Sequence, residues 1–354
     1  MKDYSKELKD LILTTIKEGA SDLHLTAGRH PTIRVSGSLI PLFKSPVISA
    51  EDSEGLIFEM LSDNDKKLLK DQKELDFSYS FEDKSRFRVN AFTQRGYLGA
   101  ALRLISNKAK TTQELNLPDI LADFAKKEQG FFLVVGPIGH GKSTTLAAMV
   151  DIINHSSAEH IVTIEDPIEY LFIQDKSIID QREVRFDTMD FKTALRSMFR
   201  QDINVAMIGE MRDVETISIA VTAAETGHLI LSSLHTNNAA QTIDRIIDSF
   251  PSNQQNQIRV QLASVLLGIF SQRLVPRISG GRIPAYELLI STPAVRTLIR
   301  EGRTHEIDTV IETNYETGMV SLNRSLAALV QGGEITMKDA TDHSLNPKGF
   351  EALI

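Results

Sequence analysis

The sequence contains no cysteine. Disulfides, Cys-based zinc sites, thiol nucleophiles and iron–sulfur clusters are therefore excluded. Long apolar runs are also missing. The longest, Leu262 to Phe270, has nine residues and already includes Ser264, well short of the ~18–20 needed to span a bilayer. The first residues, Met1 to Glu7, mix charges and lack the apolar stretch of a signal peptide. A cytoplasmic protein is expected, and contact with a membrane protein is compatible with it. Positive charge is in deficit: Lys+Arg 39 against Asp+Glu 47 gives a formal net charge of -8. That balance argues against a protein that coats nucleic acid, although a local basic groove is compatible with it.

What is present fits a soluble globular chain. Its 354 residues are 42% hydrophobic and 24% charged, enough for about two domains at roughly 150 residues each. Residues 1 to 106 read as a small α+β domain. Tyr4, Leu8, Leu11, Ile12 and Ile16 form one helical face. Short strands follow around Leu23 to Leu25, Pro31 to Ser36 and Leu39 to Leu42, then a helical region from Asp52 to Lys70. Leu75, Phe77, Tyr79 and Phe81 alternate with polar residues. So do Phe87, Val89 and Ala91, which places Arg86, Arg88 and Asn90 on the opposite face. With Arg103 on the next strand, one sheet face is expected to present several arginines.

The polar stretch 107–116 reads as a linker. Beyond it, from 117 to 354, apolar strands alternate with helices: Phe131 to Val135, Ile161 to Ile164, Val205 to Ile208 and Leu229 to Leu231. Such continuous apolar runs mark a mostly parallel sheet covered on both faces. From about Thr292 the chain is expected to be helical and polar.

Gly136-Pro137-Ile138-Gly139-His140-Gly141-Lys142-Ser143 fits G-x-x-x-x-G-K-[ST], between an apolar strand and a helical stretch. In such a loop glycines let backbone N–H groups wrap phosphates, and the helix N-terminus adds its positive dipole. Lys142 would reach the β- and γ-phosphates and Ser143 would hold Mg²⁺. Hydrolysis also needs carboxylates near the metal and the attacking water. Candidates lie where strands end: Glu165, Asp166 and Glu169 after one strand, Glu210 and Asp213 after another. Capping of the next helix competes with function for Glu165, Asp166 and Asp213. His228 and His235 bracket the strand Leu229 to Leu234, without neighbours at metal-ligand spacing. They read as structural histidines, or as a γ-phosphate sensor or a wire between sites. Arg86, Arg88, Arg95 and Arg103 read as solvated charge or as arginine fingers.

Four boxes in order make the chain resemble the secretion-type ATPases of type IV pili and type II secretion. They are the Walker A loop Gly136–Ser143, the acidic box Thr163–Glu169, an atypical Walker B Ile208–Asp213 that ends in Gly-Glu, and the histidine box Ala224–Thr236. Ala20-Ser21-Asp22-Leu23-His24-Leu25, the short N-terminal domain and Ala294-Val295-Arg296-Thr297-Leu298-Ile299-Arg300 are similar to the pilus-retraction branch. Many assembly and secretion ATPases carry a four-cysteine zinc element, which this chain cannot have.

The resemblance implies an α/β protein with an N-terminal PAS-like domain and a C-terminal RecA-like P-loop ATPase domain. It implies a homohexameric ring that hydrolyses ATP with Mg²⁺ and drives twitching motility by pilus retraction. The ring would sit at the inner face of the cytoplasmic membrane, act on a platform protein of the PilC type, work beside other pilus ATPases and bind no nucleic acid. Carried over by motif, Glu169 is the general base, and Glu210 joins Ser143 at Mg²⁺ through water. Arg88 and Arg103 are the arginine fingers, and His228 and His235 belong to the catalytic set. Gly136, Pro137, Gly139, His140, Gly141, Lys142, Ser143 and Thr144 bind the nucleotide. Asp202-Ile203-Asn204 departs from the usual Asp-Pro-Asp, His140 from the usual Ser or Thr, and the tail after Ser325 matches poorly. The rival readings are an accessory retraction ATPase of the PilU type, an extension or secretion motor, and a RecA-like motor on nucleic acid.

Overall fold

The computed structural model describes residues 2–35, 37–82, 85–105 and 109–354. The start of the expected linker, residues 107 and 108, lies outside them. The chain divides into two compact units, Met1–Asn107 with Glu169–Leu171, and Lys108–Ile168 with Phe172–Ile354.

In the first unit α1 (Tyr4–Lys17), α2 (Ala50–Phe58) and α3 (Asp63–Gln72) accompany six strands. These are β1 (Asp22–Thr26), β2 (Thr32–Val35), β3 (Ser38–Pro41), β4 (Glu74–Phe81), β5 (Ser85–Gln94) and β6 (Tyr97–Ile105). They pair antiparallel in the order β3-β2-β1-β6-β5-β4. The helical region expected over Asp52 to Lys70 is two helices. Ser49 and Ser62 cap their starts by accepting from the N–H groups of Asp52 and Asp65, so the second helix is initiated afresh. Leu23, Phe87, Val89 and Leu102 are wholly buried on one side of the sheet, together with Leu8, Ile12 and Leu56 of the helices. The period of two sends the charged residues to the other side. There Arg34, Asp22, Arg103 and Arg88 stand in one cross-strand row. Arg95 sits apart, in the hairpin turn that joins β5 to β6, with Gly96 also at positive φ.

The second unit contains β7 (Gly130–Val135), β8 (His160–Glu165), β9 (Ile178–Glu183), β10 (Val205–Ile208), β11 (Leu229–Leu234), β12 (Leu266–Pro276) and β13 (Arg282–Ile290). Its helices are α4 (Ile120–Ala125), α5 (Lys142–Ser156), α6 (Phe191–Met198), α7 (Val214–Glu225), α8 (Ala239–Asp248), α9 (Ser252–Val265) and α10 (Pro293–Glu301), followed by α11 (Ile307–Thr313), α12 (Leu322–Gln331), α13 (Met337–His343) and α14 (Pro347–Glu351). The strand order is β13-β12-β7-β11-β10-β8-β9, parallel except for β13 at the edge.

Every residue of β7 is buried. Phe131, Leu133 and Val135 enter the core beneath α6 to α9, and Phe132 and Val134 enter the core shared with α4 and α5. Burial of such side chains, about 1.5–3 kcal/mol each, holds both helical layers to the sheet. The parallel arrangement brings the C-terminal ends of β7, β8, β10 and β11 to one edge, where ligands bind in open α/β sheets. The apolar run Leu262 to Phe270 spans the end of α9 and the start of β12. The tail after Ser325 folds onto the β12–β13 hairpin, where Leu326, Ala340 and Phe350 pack against Val275, Ile283 and Ala285.

Candidate functional site

The loop that leaves β7 turns on three glycines at positive φ: Gly136 (143°), Gly139 (77°) and Gly141 (83°). At Gly136 the need is also steric, because a Cβ there would lie 2.3 Å from the main-chain oxygen of Gln272. Gly141 starts α5 without a side-chain cap, whereas Asp213 and Asn238 cap α7 and α8. The first-turn N–H groups of α5 are thus left for an anion, and the helix dipole favours one.

Lys142 is 7% exposed. Its Nζ donates to the carbonyls of Gly136 and Pro137, both at 2.9 Å, and to Nδ1 of His235 at 3.0 Å. An ammonium group only donates, so Nδ1 of His235 accepts and the ring proton sits on Nε2. That nitrogen faces Oε1 of Glu210 at 3.2 Å, and Oε2 of Glu210 meets Nη2 of Arg212 at 2.8 Å. Burial works against ionisation of Glu210, but the hydrogen bonds from Arg212 and His235, with the charge of Arg212, outweigh it. The carboxyl stays below its ordinary value. Lys142, His235 and Glu210, from three separate boxes, thus form one hydrogen-bonded chain at the C-terminal edge of the sheet. The glycine cradle and uncapped α5 fit nucleotide phosphates. The Ser143 hydroxyl and ionised Glu210 are the hard oxygen donors that Mg²⁺ takes alongside phosphate and water.

The remaining expected residues are distributed differently. Glu169 is exposed, just after the buried Ile168. His228 is not brought to the loop. It lies at the opposite end of β11, where its Nδ1 donates to Ala223 O at 3.0 Å and its ring meets Phe199 edge-on. Arg103 forms an ion pair with Asp22 at 3.0 Å, and Arg88 is its exposed cross-strand neighbour. Asp213 caps α7 through the N–H and hydroxyl of Thr216. Glu165 is buried and accepts from Thr163 Oγ1 at 2.7 Å. His140 contributes its side chain as well as its backbone, since its Nδ1 accepts from the Leu274 N–H at 2.9 Å.

Several supporting residues escaped the sequence reading. Ser271 donates to Asn237 O at 2.9 Å, Arg273 to Asn237 Oδ1 at 3.2 Å, and the Ala239 N–H donates to Glu287 Oε1 at 2.8 Å. Together they pin the segment that follows His235. Burial pushes the Glu287 carboxyl up to about 7. The signal for them was Ser271-Gln272-Arg273, three polar residues interrupting an otherwise apolar stretch.

A family model described as Type II/IV secretion system protein matches residues 3–281. Among known proteins, the type IV pilus retraction ATPase PilT of Pseudomonas aeruginosa is 42% identical over 97% of this chain and 100% of its own length. The type IV pilus ATPase PilU of the same organism is 40% identical over 98% of this chain and 91% of its own. A crystal structure of the pilus retraction motor PilT with bound ADP superposes with a TM-score of 0.91 at 43% identity, covering 99% of both chains. This mixed α/β chain is accordingly a member of the type II/IV secretion system protein family, in its PilT-type group of ATPases.

Proposed function

We propose that this chain hydrolyses ATP with Mg²⁺ to power retraction of type IV pili. The observation that carries the reading is the chain from Lys142 through His235 to Glu210, set on a glycine-cradled, uncapped helix N-terminus. Binding falls to the loop from Gly136 to Thr144. Lys142 exchanges its carbonyl partners for the β- and γ-phosphates. Ser143, with Glu210 through water, would hold Mg²⁺, and the metal would supply charge that offsets that of the transferred phosphoryl group. Glu169 serves as general base. His235, already bonded to both Lys142 and Glu210, reports whether a γ-phosphate has drawn Lys142 away. Arg88 and Arg103, on one row of the antiparallel sheet, supply positive charge to the transition state.

In this reading the first unit is PAS-like and the second RecA-like, and six copies form a ring that acts on a PilC-type platform at the inner face of the cytoplasmic membrane. No helix among the described residues is long and apolar enough to cross a membrane, which is in keeping with peripheral attachment. Retraction is favoured by Ala294 to Arg300, which lies in α10. Val295 and Ile299 are fully buried there, and Arg296 and Arg300 bond the hydroxyls of Ser291 and Thr297. Both the apolar side and the arginines of this segment are thus held in the fold.

Purified Lys142→Ala and Glu210→Ala should lose ATP turnover; unchanged turnover in either sinks the site. In cells, abundant pili without surface motility are expected both in a strain lacking the gene and in one carrying only Lys142→Ala. Bald cells would make it an extension motor. The near-equal identities to PilT and PilU favour an accessory retraction ATPase as the second reading. Retained retraction in the deletion strain would establish that one.

A further inference from the structure

We propose that Gln272 is a positioning residue for the phosphate loop, fixing the Gly141 N–H toward the bound nucleotide. The proposal rests on the ATPase reading above. Gln272 is 2% exposed in β12, and β12 lies directly beside β7 in the sheet. Ser271 pairs with Val135, the last residue before the loop, so Gln272 comes level with Gly136. Its main-chain oxygen fills the space a Cβ on Gly136 would need. Its side chain spans the rest of the loop: Nε2 donates to the carbonyl of His140 at 2.5 Å, and Oε1 accepts from the Thr145 hydroxyl at 2.6 Å.

The consequence follows from peptide geometry. In a trans peptide the carbonyl and the next N–H point in opposite directions. A donor that holds the His140 carbonyl on the β12 side therefore turns the Gly141 N–H away from β12 and into the loop, where phosphates bind. Gly141 sits at φ 83° without a side chain, so its flanking peptides would otherwise turn with little hindrance. The His140 carbonyl can only accept, so Nε2 must face it; Oε1 is then left to accept from the Thr145 hydroxyl, which tethers the carboxamide to α5. Two further clips act on the same stretch, from Leu274 N–H to His140 Nδ1 and from Arg282 to the Gly139 carbonyl at 3.3 Å. Of these three side chains and main-chain groups, Gln272 is the one that also bonds to α5.

Gln272→Glu tests this at nearly constant volume. It keeps an acceptor for Thr145 and replaces the donor by a carboxylate facing a carbonyl. An N–H that serves ground and transition states alike changes KM and leaves kcat. Affinity for a fluorescent ADP analogue should fall about tenfold, and KM for ATP rise in parallel, with kcat at saturating ATP within about twofold of wild type. A folded Gln272→Glu protein with unchanged ADP affinity overturns the proposal. So does one that loses kcat at constant KM, because that places Gln272 in the chemical step. If the variant does not fold, Thr145→Val frees the carboxamide with Gln272 in place; about threefold weaker ADP binding is expected, and unchanged binding overturns the proposal. The two readings fail differently. Wild-type protein that binds ADP without turning over ATP defeats the ATPase reading, whereas normal turnover with unchanged ADP binding in the variants defeats only the role of Gln272.

Discussion

The two ends of β11 carry a histidine each, and the two do different work. His235, where the strand ends, accepts from Lys142 and donates to Glu210, so it joins the phosphate loop to the acidic strand beside it. His228, before the strand begins, donates to Ala223 O and finishes α7. Seven residues of extended chain at ~3.3 Å each set the pair roughly 23 Å apart. Sequence proximity and a shared box make them look like one unit. A parallel sheet makes them opposites, because its two edges differ: helix N-termini with donors to spare gather at one, and helix C-termini with carbonyls to satisfy gather at the other. A histidine has both a donor and an acceptor, so the same residue type serves either edge.

The difference can be broken most strongly at the C-terminal edge. Glu210→Gln keeps the shape of the side chain but removes the charge that faces His235 and Arg212. Its kcat should fall by about two to three orders of magnitude with ADP affinity largely retained. Simultaneous loss of both would mean that Glu210 shapes the loop rather than the chemistry, and would erase the contrast between the edges.

A smaller effect sharpens the same edge. Glu287 anchors the start of α8, just beyond His235, and its carboxyl is raised from 4.5 to about 7 by burial. A raised carboxyl favours the fold while protonated, so this contribution is complete below about pH 4.5 and is lost as pH rises through about 7. At about 1.4 kcal/mol per pH unit the loss is about 3 kcal/mol by pH 8.5. Gln cannot ionise and still accepts from the Ala239 N–H. Glu287→Gln should therefore raise Tm by several degrees at pH 8.5 and leave it near wild type at pH 5. Equal shifts at both pH values would show that Glu287 stays charged throughout.

The smallest expected effect separates capping from catalysis. Asp213 lies within the Walker B box, yet its carboxylate caps α7. Asp213→Ala should cost about 1 kcal/mol in urea unfolding and leave the KM for ATP unchanged. A rise in KM without a loss of stability would return Asp213 to the active site.

The loop and its neighbours were legible because their chemistry is local: glycines, Lys142 and Ser143 lie within one turn, and an apolar strand precedes them. The arginine row was legible for a similar reason, since alternation along β5 places Arg86 and Arg88 opposite Phe87 and Val89. What the sequence hid is non-local. Nothing near Gly136 announces that Gln272, far along the chain, fills the space beside it. Leu262 to Phe270 looks like one apolar element, yet a helix ends and a strand begins inside it. There most positions are buried, which removes the periodicity that would separate the two. His228 shows the reverse problem. Its motif points to the site, and its position in the sheet points to the helix end it finishes.

The most direct test is steady-state ATP turnover by purified His228→Asn beside His235→Asn. Asparagine supplies an amide N–H, which is what Ala223 O needs from residue 228, so that variant should stay within about threefold of wild-type kcat. At position 235 the shorter side chain cannot join Lys142 to Glu210 at once, and kcat should fall about a hundredfold. Equal losses in the two variants, or a larger loss at His228, would contradict the assignment of hydrolysis to the C-terminal edge of the sheet.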